Sequence, residues 1–225
     1  MPHHSSLIKG LALLSLSAFL FASMGVLIRL ASHTVDNTIV VFMRNLTGTL
    51  LLLPFALIQG RAFFVTQKPL MHLWRALVGL AAMYGFFYAI AHLPLSNAMV
   101  FTYSSPVFIP LVAWLFLKER ISPLMIVAAM VGLLGVFLVA KPSREMFNWL
   151  SFVGISSSFL AAMAFVTVRA LTQTESATRI VFYFCLISTV ISAIPMYWYW
   201  RALSTQEVVY LVGAGSLATF SQICL

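Results

Sequence analysis

Arg44 is the residue whose setting most demands an explanation, because it places a guanidinium inside a long apolar stretch at 38–58. At 1.5 Å of rise per residue it lies roughly 6 Å from the middle of that stretch. A charge at such depth is costly and by default marks a function. A planar fork of donors suits a carboxylate or phosphate. The bland alternative is an arginine that snorkels or is tied to backbone carbonyls. Asn45 stands beside it as a second polar group. Further along, Thr102, Tyr103, Ser104, Ser105 and Pro106 are followed by Pro110, so two prolines fall near the centre of another apolar stretch. Each removes an N–H, which frees the carbonyl of Thr102 and that of Pro106. Free carbonyls at this depth persist only where they line a cavity or meet another protein group. Tyr84, Tyr88 and the serines 156–158, Ser157 at their centre, fall at comparable depth. Arg44, Asn45, Tyr84, Tyr88, Thr102, Tyr103, Ser104, Pro106 and Ser157 therefore form the candidate lining of one pocket, although serines in membranes also serve plain helix packing.

Enzyme chemistry finds no such foothold. Cys185 and Cys224 sit in apolar runs without CxxC spacing, and the histidines show no pair at metal-binding spacing within an apolar stretch. No nucleophile elbow occurs. Asp36, Glu119, Glu145, Glu175 and Glu207 all fall at helix ends or in loops, so no buried carboxylate is visible for proton coupling. Neither a cofactor nor a metal is called for, and the chain reads as a non-enzyme.

The elements that must position these residues follow from composition. Hydrophobic residues make up 62% of the chain and charged ones 8%, against about 45–50% and about 25% in soluble domains. Lipid is the fitting solvent. The formal charge of +8 does not point to nucleic acid, because most basic residues flank apolar runs instead of forming a stripe with aromatics. Eight stretches are long enough to span a bilayer, at about 8–31, 38–58, 72–92, 96–117, 122–140, 150–171, 178–200 and 206–225. With the N-terminus inside, the inner flanks collect Lys9, Arg61, Lys68, Arg75, Lys118, Arg120, Arg169 and Arg179. The outer flanks collect Arg29, Lys141, Arg144 and Arg201. That bias predicts a cytoplasmic N-terminus, with Lys141 and Arg144 dissenting. Ser122 and Pro123 suit the start of the fifth span, and Ala128, Gly132 and Gly135 give it a small-residue face for close helix contact.

Sliding the sequence by 140 residues aligns it with itself. Ser17 meets Ser157, Arg29 meets Arg169, Thr38 meets Thr178, Thr49 meets Thr189 and Arg61 meets Arg201. Roughly 13 of the 47 positions from 15 to 61 are identical, more than apolar composition alone explains. One repeat holds five spans, an odd number, so the second copy must enter the membrane from the other side. The expectation is an all-α polytopic bundle of inverted five-helix repeats, divided 1–145 and 146–225, with about eight of ten spans present. The counterpart of 86–140 is then missing, the natural protein has roughly 280–300 residues, and this 225-residue form is expected not to transport.

Several local motifs fall in an order that resembles the EamA group of the drug/metabolite transporter superfamily. They are Phe42-Met43-Arg44-Asn45 with the run Leu50–Pro54, Arg75-Ala76-Leu77-Val78-Gly79, Leu93-Pro94-Leu95-Ser96-Asn97-Ala98, Ser105-Pro106, Leu117-Lys118-Glu119-Arg120-Ile121-Ser122, and Gly132 through Val136. The resemblance runs from about residue 8 to the end. It implies ten spans, both termini cytoplasmic, and transport of metabolites such as amino acids, nucleosides or related compounds across the inner (plasma) membrane. The region from the second to the fourth span also resembles a subgroup of similar proteins from intracellular bacteria that take up S-adenosylmethionine. Expected partners are a small-molecule substrate and membrane lipid, with a homodimer left open. The competing functional class is a non-transporting helical membrane subunit or a membrane enzyme.

Overall fold

In the computed structural model, residues 2–118, 122–140 and 149–224 are described. Nine α-helices carry them: α1 (Pro2–Ala31), α2 (Asn37–Ile58), α3 (Pro69–His92), α4 (Leu95–Tyr103), α5 (Ser105–Leu117), α6 (Pro123–Ala140), α7 (Trp149–Leu171), α8 (Ala177–Tyr199) and α9 (Thr205–Cys224). A single 3₁₀ turn, Arg61–Phe64, follows α2. No strand occurs among the described residues.

Eight apolar stretches become nine helices because the fourth is interrupted at Ser104, where the prolines predict a break. Counting α4 and α5 as one span, seven helical segments are long and apolar enough to cross a membrane, and α6 is a shorter apolar helix. The chain is thus a multi-pass membrane protein. Large apolar side chains such as Leu11, Phe19, Leu57 and Val190 stay exposed, as lipid-facing positions do. Water could not tolerate so continuous a surface.

The chain forms two compact units that cut across the sequence repeats. One comprises residues 1–67 and 175–225, the other residues 68–174. In the first, α1 packs on α9 and α2 packs on both α8 and α9. In the second, α3 packs on α7, with α4, α5 and α6 alongside.

Within the first unit the inversion is visible directly. Arg179 and Tyr183, in the first turns of α8, donate to the carbonyls of Ala62 and Phe64, which lie just beyond the end of α2. α8 therefore begins where α2 ends, and these repeat-related helices run antiparallel. Near their crossing, Thr49 and Thr189 share a hydroxyl hydrogen bond of 3.2 Å, although they are 140 residues apart. A second pair of bonds repeats the relation from one unit to the other. Ser17 Oγ donates to the carbonyl of Ser221 at 2.9 Å, and Ser157 Oγ donates to the carbonyl of Ala82 at 2.7 Å. Both α1–α9 and α3–α7 are antiparallel pairs joined by the same serine at the same position of the repeat. Even the caps match: Asp36 accepts from Thr38 N at the start of α2, and Ser176 accepts from Arg179 N at the start of α8.

Expectations for the fifth span need a correction. A Cβ built on Gly132 or Gly135 meets nothing within 4 Å, so these glycines do not mediate close contact among the described residues. The half-buried face of α6 is instead Ala129, Leu133 and Val136. Close approach occurs elsewhere, at Gly48 and Gly215 in the first unit and Gly85 and Gly154 in the second. Glu119, Arg120, Lys141, Arg144 and Glu145 lie outside the described residues.

Candidate functional site

Arg44 sits on the face of α2 that meets α8 and is only 2% exposed. Its Nη1 donates to Asn45 Oδ1 at 2.9 Å and approaches Cys185 Sγ at 3.9 Å. The guanidinium carbon lies 5.4 Å from the centre of the Phe184 ring, a cation–π contact that offsets part of the desolvation cost. Nε is buried without a hydrogen-bond partner. None of these neighbours carries a formal charge. The snorkelling alternative does not describe this geometry, because the side chain is held inside the helix pair.

The carboxylates among the described residues are all engaged at the ends of the helices, away from Arg44. Glu207 takes Arg201 at 2.6 Å, Thr34 Oγ1 at 2.6 Å and Ser204 N at 2.8 Å. Arg201 also donates to the Thr34 carbonyl, and its hydrogen bond to Glu207 raises the guanidinium above its ordinary pKa. At the opposite end, Glu175 takes Arg179 at 2.5 Å and Thr66 Oγ1 at 2.6 Å. Asp36 serves as the cap of α2. Sequence reasoning placed these acids at helix ends but missed both clasps, since the threonines that complete them are about 110 to 170 residues away.

Asn45 is fully buried, and its amide donates back to the Val41 carbonyl at 2.9 Å. Cys185, read from sequence as a mere apolar-run residue, touches both Arg44 and the space a Gly48 side chain would fill. Its alignment with Asn45 in the repeat is the one sequence signal that could have found it.

The remaining candidates belong to the second unit. At the break between α4 and α5 the freed carbonyls are largely taken up. Ser105 Oγ donates to the Thr102 carbonyl at 3.0 Å and Ser104 Oγ to the Phe101 carbonyl at 2.6 Å. Ser158 of α7 also donates to the Phe101 carbonyl. Thr102 Oγ1 turns back to Ala98 O. Pro106 and the Tyr103 ring are exposed and Tyr84 is half-buried. Tyr88 stacks on His92 with ring centres 4.1 Å apart. Ser157 is buried against α3, where its Cβ lies 3.0 Å from the Cβ position of Gly85. The break thus brings Thr102, Tyr103, Ser104 and Pro106 together, while Ser157 is committed to the α3–α7 contact.

The model of the EamA-like transporter family matches residues 8–141. The chain belongs to that family. Its relatives include the pseudopaline exporter CntI of Pseudomonas aeruginosa, 35% identical over 191 residues that cover 84% of this chain and 66% of the exporter. An S-adenosylmethionine uptake transporter of Rickettsia bellii is 31% identical, covering 80% of this chain and 63% of its own. An uncharacterized transporter of Helicobacter pylori is 27% identical over 198 residues. The chain spans just under two thirds of the length of these family members. A solved crystal structure agrees with a TM-score of 0.71 over 98% of this chain and 78% of its own, at 17% identity, a likeness of fold alone.

Proposed function

We propose that this family member carries a small anionic or zwitterionic metabolite across the inner (plasma) membrane by alternating access, with Arg44 holding the substrate's carboxylate or phosphate. The observation that carries this reading is a guanidinium 2% exposed in mid-span, surrounded by neutral groups and with Nε unpartnered. An ionic substrate group would supply the missing counter-charge, which makes binding strong without any further acid in the protein. Substrate classes to test first are amino acids and S-adenosylmethionine-like compounds, both of which carry a carboxylate, the latter on the strength of the uptake relative.

The reading divides the chain into repeats at 1–145 and 146–225 and sets the N-terminus in the cytoplasm, supported by the inner-flank excess of Lys and Arg. It leaves a homodimer open. Counterflow in proteoliposomes, run on a form extended to the length of its family members and screened with a pooled set of labelled metabolites, tests the function. Exchange of an anionic or zwitterionic compound that disappears in Arg44→Gln supports it. No exchanged compound, together with a membrane protein that co-purifies stoichiometrically, favours the subunit reading instead.

A further inference from the structure

A groove of about 150 Å³ lies among α3, α5 and α7, within the second unit and apart from Arg44. Met71 and Trp74 form one side, Val112 and Phe116 another, and Met163 and Val166 the floor. Val112 and Val166 are buried, whereas Trp74 and Phe116 remain 44% and 55% exposed. The groove therefore opens between partly exposed apolar side chains on a helix surface of membrane-spanning composition. Aliphatic, thioether and aromatic walls suit an acyl chain.

The charge at its mouth selects among lipids. Lys68 lies three residues before Met71, Lys118 two residues after Phe116, and Arg169 precedes Ala170, which also lines the groove. All three stand at the same end, because α3 begins where α5 and α7 finish. Among the described residues of this unit there is no carboxylate, and Glu175, six residues after Arg169, is taken up by Arg179 and Thr66 Oγ1. Glu119 lies outside them, and in sequence it is flanked by both Lys118 and Arg120.

Lys118 adds an independent observation. It terminates α5 with φ of 54° and ψ of 27°, the one non-glycine residue with positive φ among those described. Glycine would adopt that conformation without steric cost. A lysine there is held exposed two residues past the groove-lining Phe116 despite the strain, and strain retained at one position is a pointer to function.

We infer that this groove is a binding site for one anionic phospholipid, its acyl chain along Met71, Trp74, Val112 and Phe116 and its phosphate beside Lys118, Lys68 and Arg169. Basic pockets between membrane helices hold anionic headgroups through this combination of charge and apolar wall.

The test uses the unmodified chain in detergent with phosphatidylglycerol and phosphatidylcholine of matched acyl chains. Native mass spectrometry reads the lipid retained, and the thermal midpoint is read in nanodiscs with and without phosphatidylglycerol. Preferential retention of phosphatidylglycerol and a higher midpoint are expected. Lys118→Gln, a surface change, lowers that preference about five-fold, as does Lys68→Gln. Val112→Phe, which fills the groove, removes retention of both lipids. Equal retention of the two lipids by the unmodified chain overturns the proposal, as does a preference unchanged in Lys118→Gln.

Discussion

At the scale of single residues, the role proposed for Arg44 is binding rather than stability. A buried charge without a partner weakens a fold, and replacing buried ionic groups by apolar ones of similar size is often neutral or stabilising by about 1–4 kcal/mol. Arg44→Met is therefore expected to leave the thermal midpoint in detergent unchanged or raised while abolishing binding of anionic substrate. A destabilisation above about 3 kcal/mol would identify Arg44 as structural instead. Ser105 is the opposite kind of residue. Its hydroxyl occupies the Thr102 carbonyl freed by Pro106, so Ser105→Ala is expected to cost about 1 kcal/mol, read as a lower midpoint. The sequence located both residues but not their settings. It gave Arg44 a depth and Pro106 a break, yet which groups face a guanidinium across a helix pair depends on the rotation of α8, and periodicity does not determine that.

At the scale of elements, glycines distinguish packed from open helix faces. A Cβ on Gly215 would stand 2.6 Å from Thr47 Cβ and 3.0 Å from the Arg44 carbonyl oxygen. The obstruction is partly backbone, so Gly215→Ala must push α9 away from α2 and is expected to cost about 1–3 kcal/mol. Gly132→Ala meets open space and is expected to be neutral or to stabilise α6 by up to about 1 kcal/mol through helix propensity. Comparing the two midpoints checks both, and a Gly132 variant as damaging as the Gly215 variant would contradict this packing. The sequence motif misled here because small residues at helical spacing look alike whether or not a neighbour covers them. Span positions, by contrast, were legible to within a few residues, since each apolar run is bounded by charges, prolines or glycines.

At the scale of the molecule, the 140-residue offset carried the most information, because a repeat predicts relations among elements and not merely their existence. The matched serine bonds of Ser17 and Ser157 make it testable. Ser17→Ala and Ser157→Ala are expected to lower the midpoint by similar amounts, about 1 kcal/mol each, and to add in the double variant, since no bond is shared. Strong coupling between them would mean the two contacts are not independent copies. The grouping of helices into units was not legible. Each unit draws spans from both repeats, and nothing local to one span says whether it pairs with a neighbour in sequence or with one far away.

The bond between Thr49 and Thr189 joins a residue to its own image. In an assembly of two identical chains, such self-contact marks the place where the symmetry axis emerges. Had the two halves stayed identical, Arg44 would have confronted a second guanidinium near that axis, in the part of the bilayer least able to screen them. Joined in one polypeptide, the halves can differ, and position 184 is a phenylalanine whose ring faces the cation. Fusion thus leaves one guanidinium where symmetry would set two that repel, and in the proposed reading that single cation holds one anion and not two.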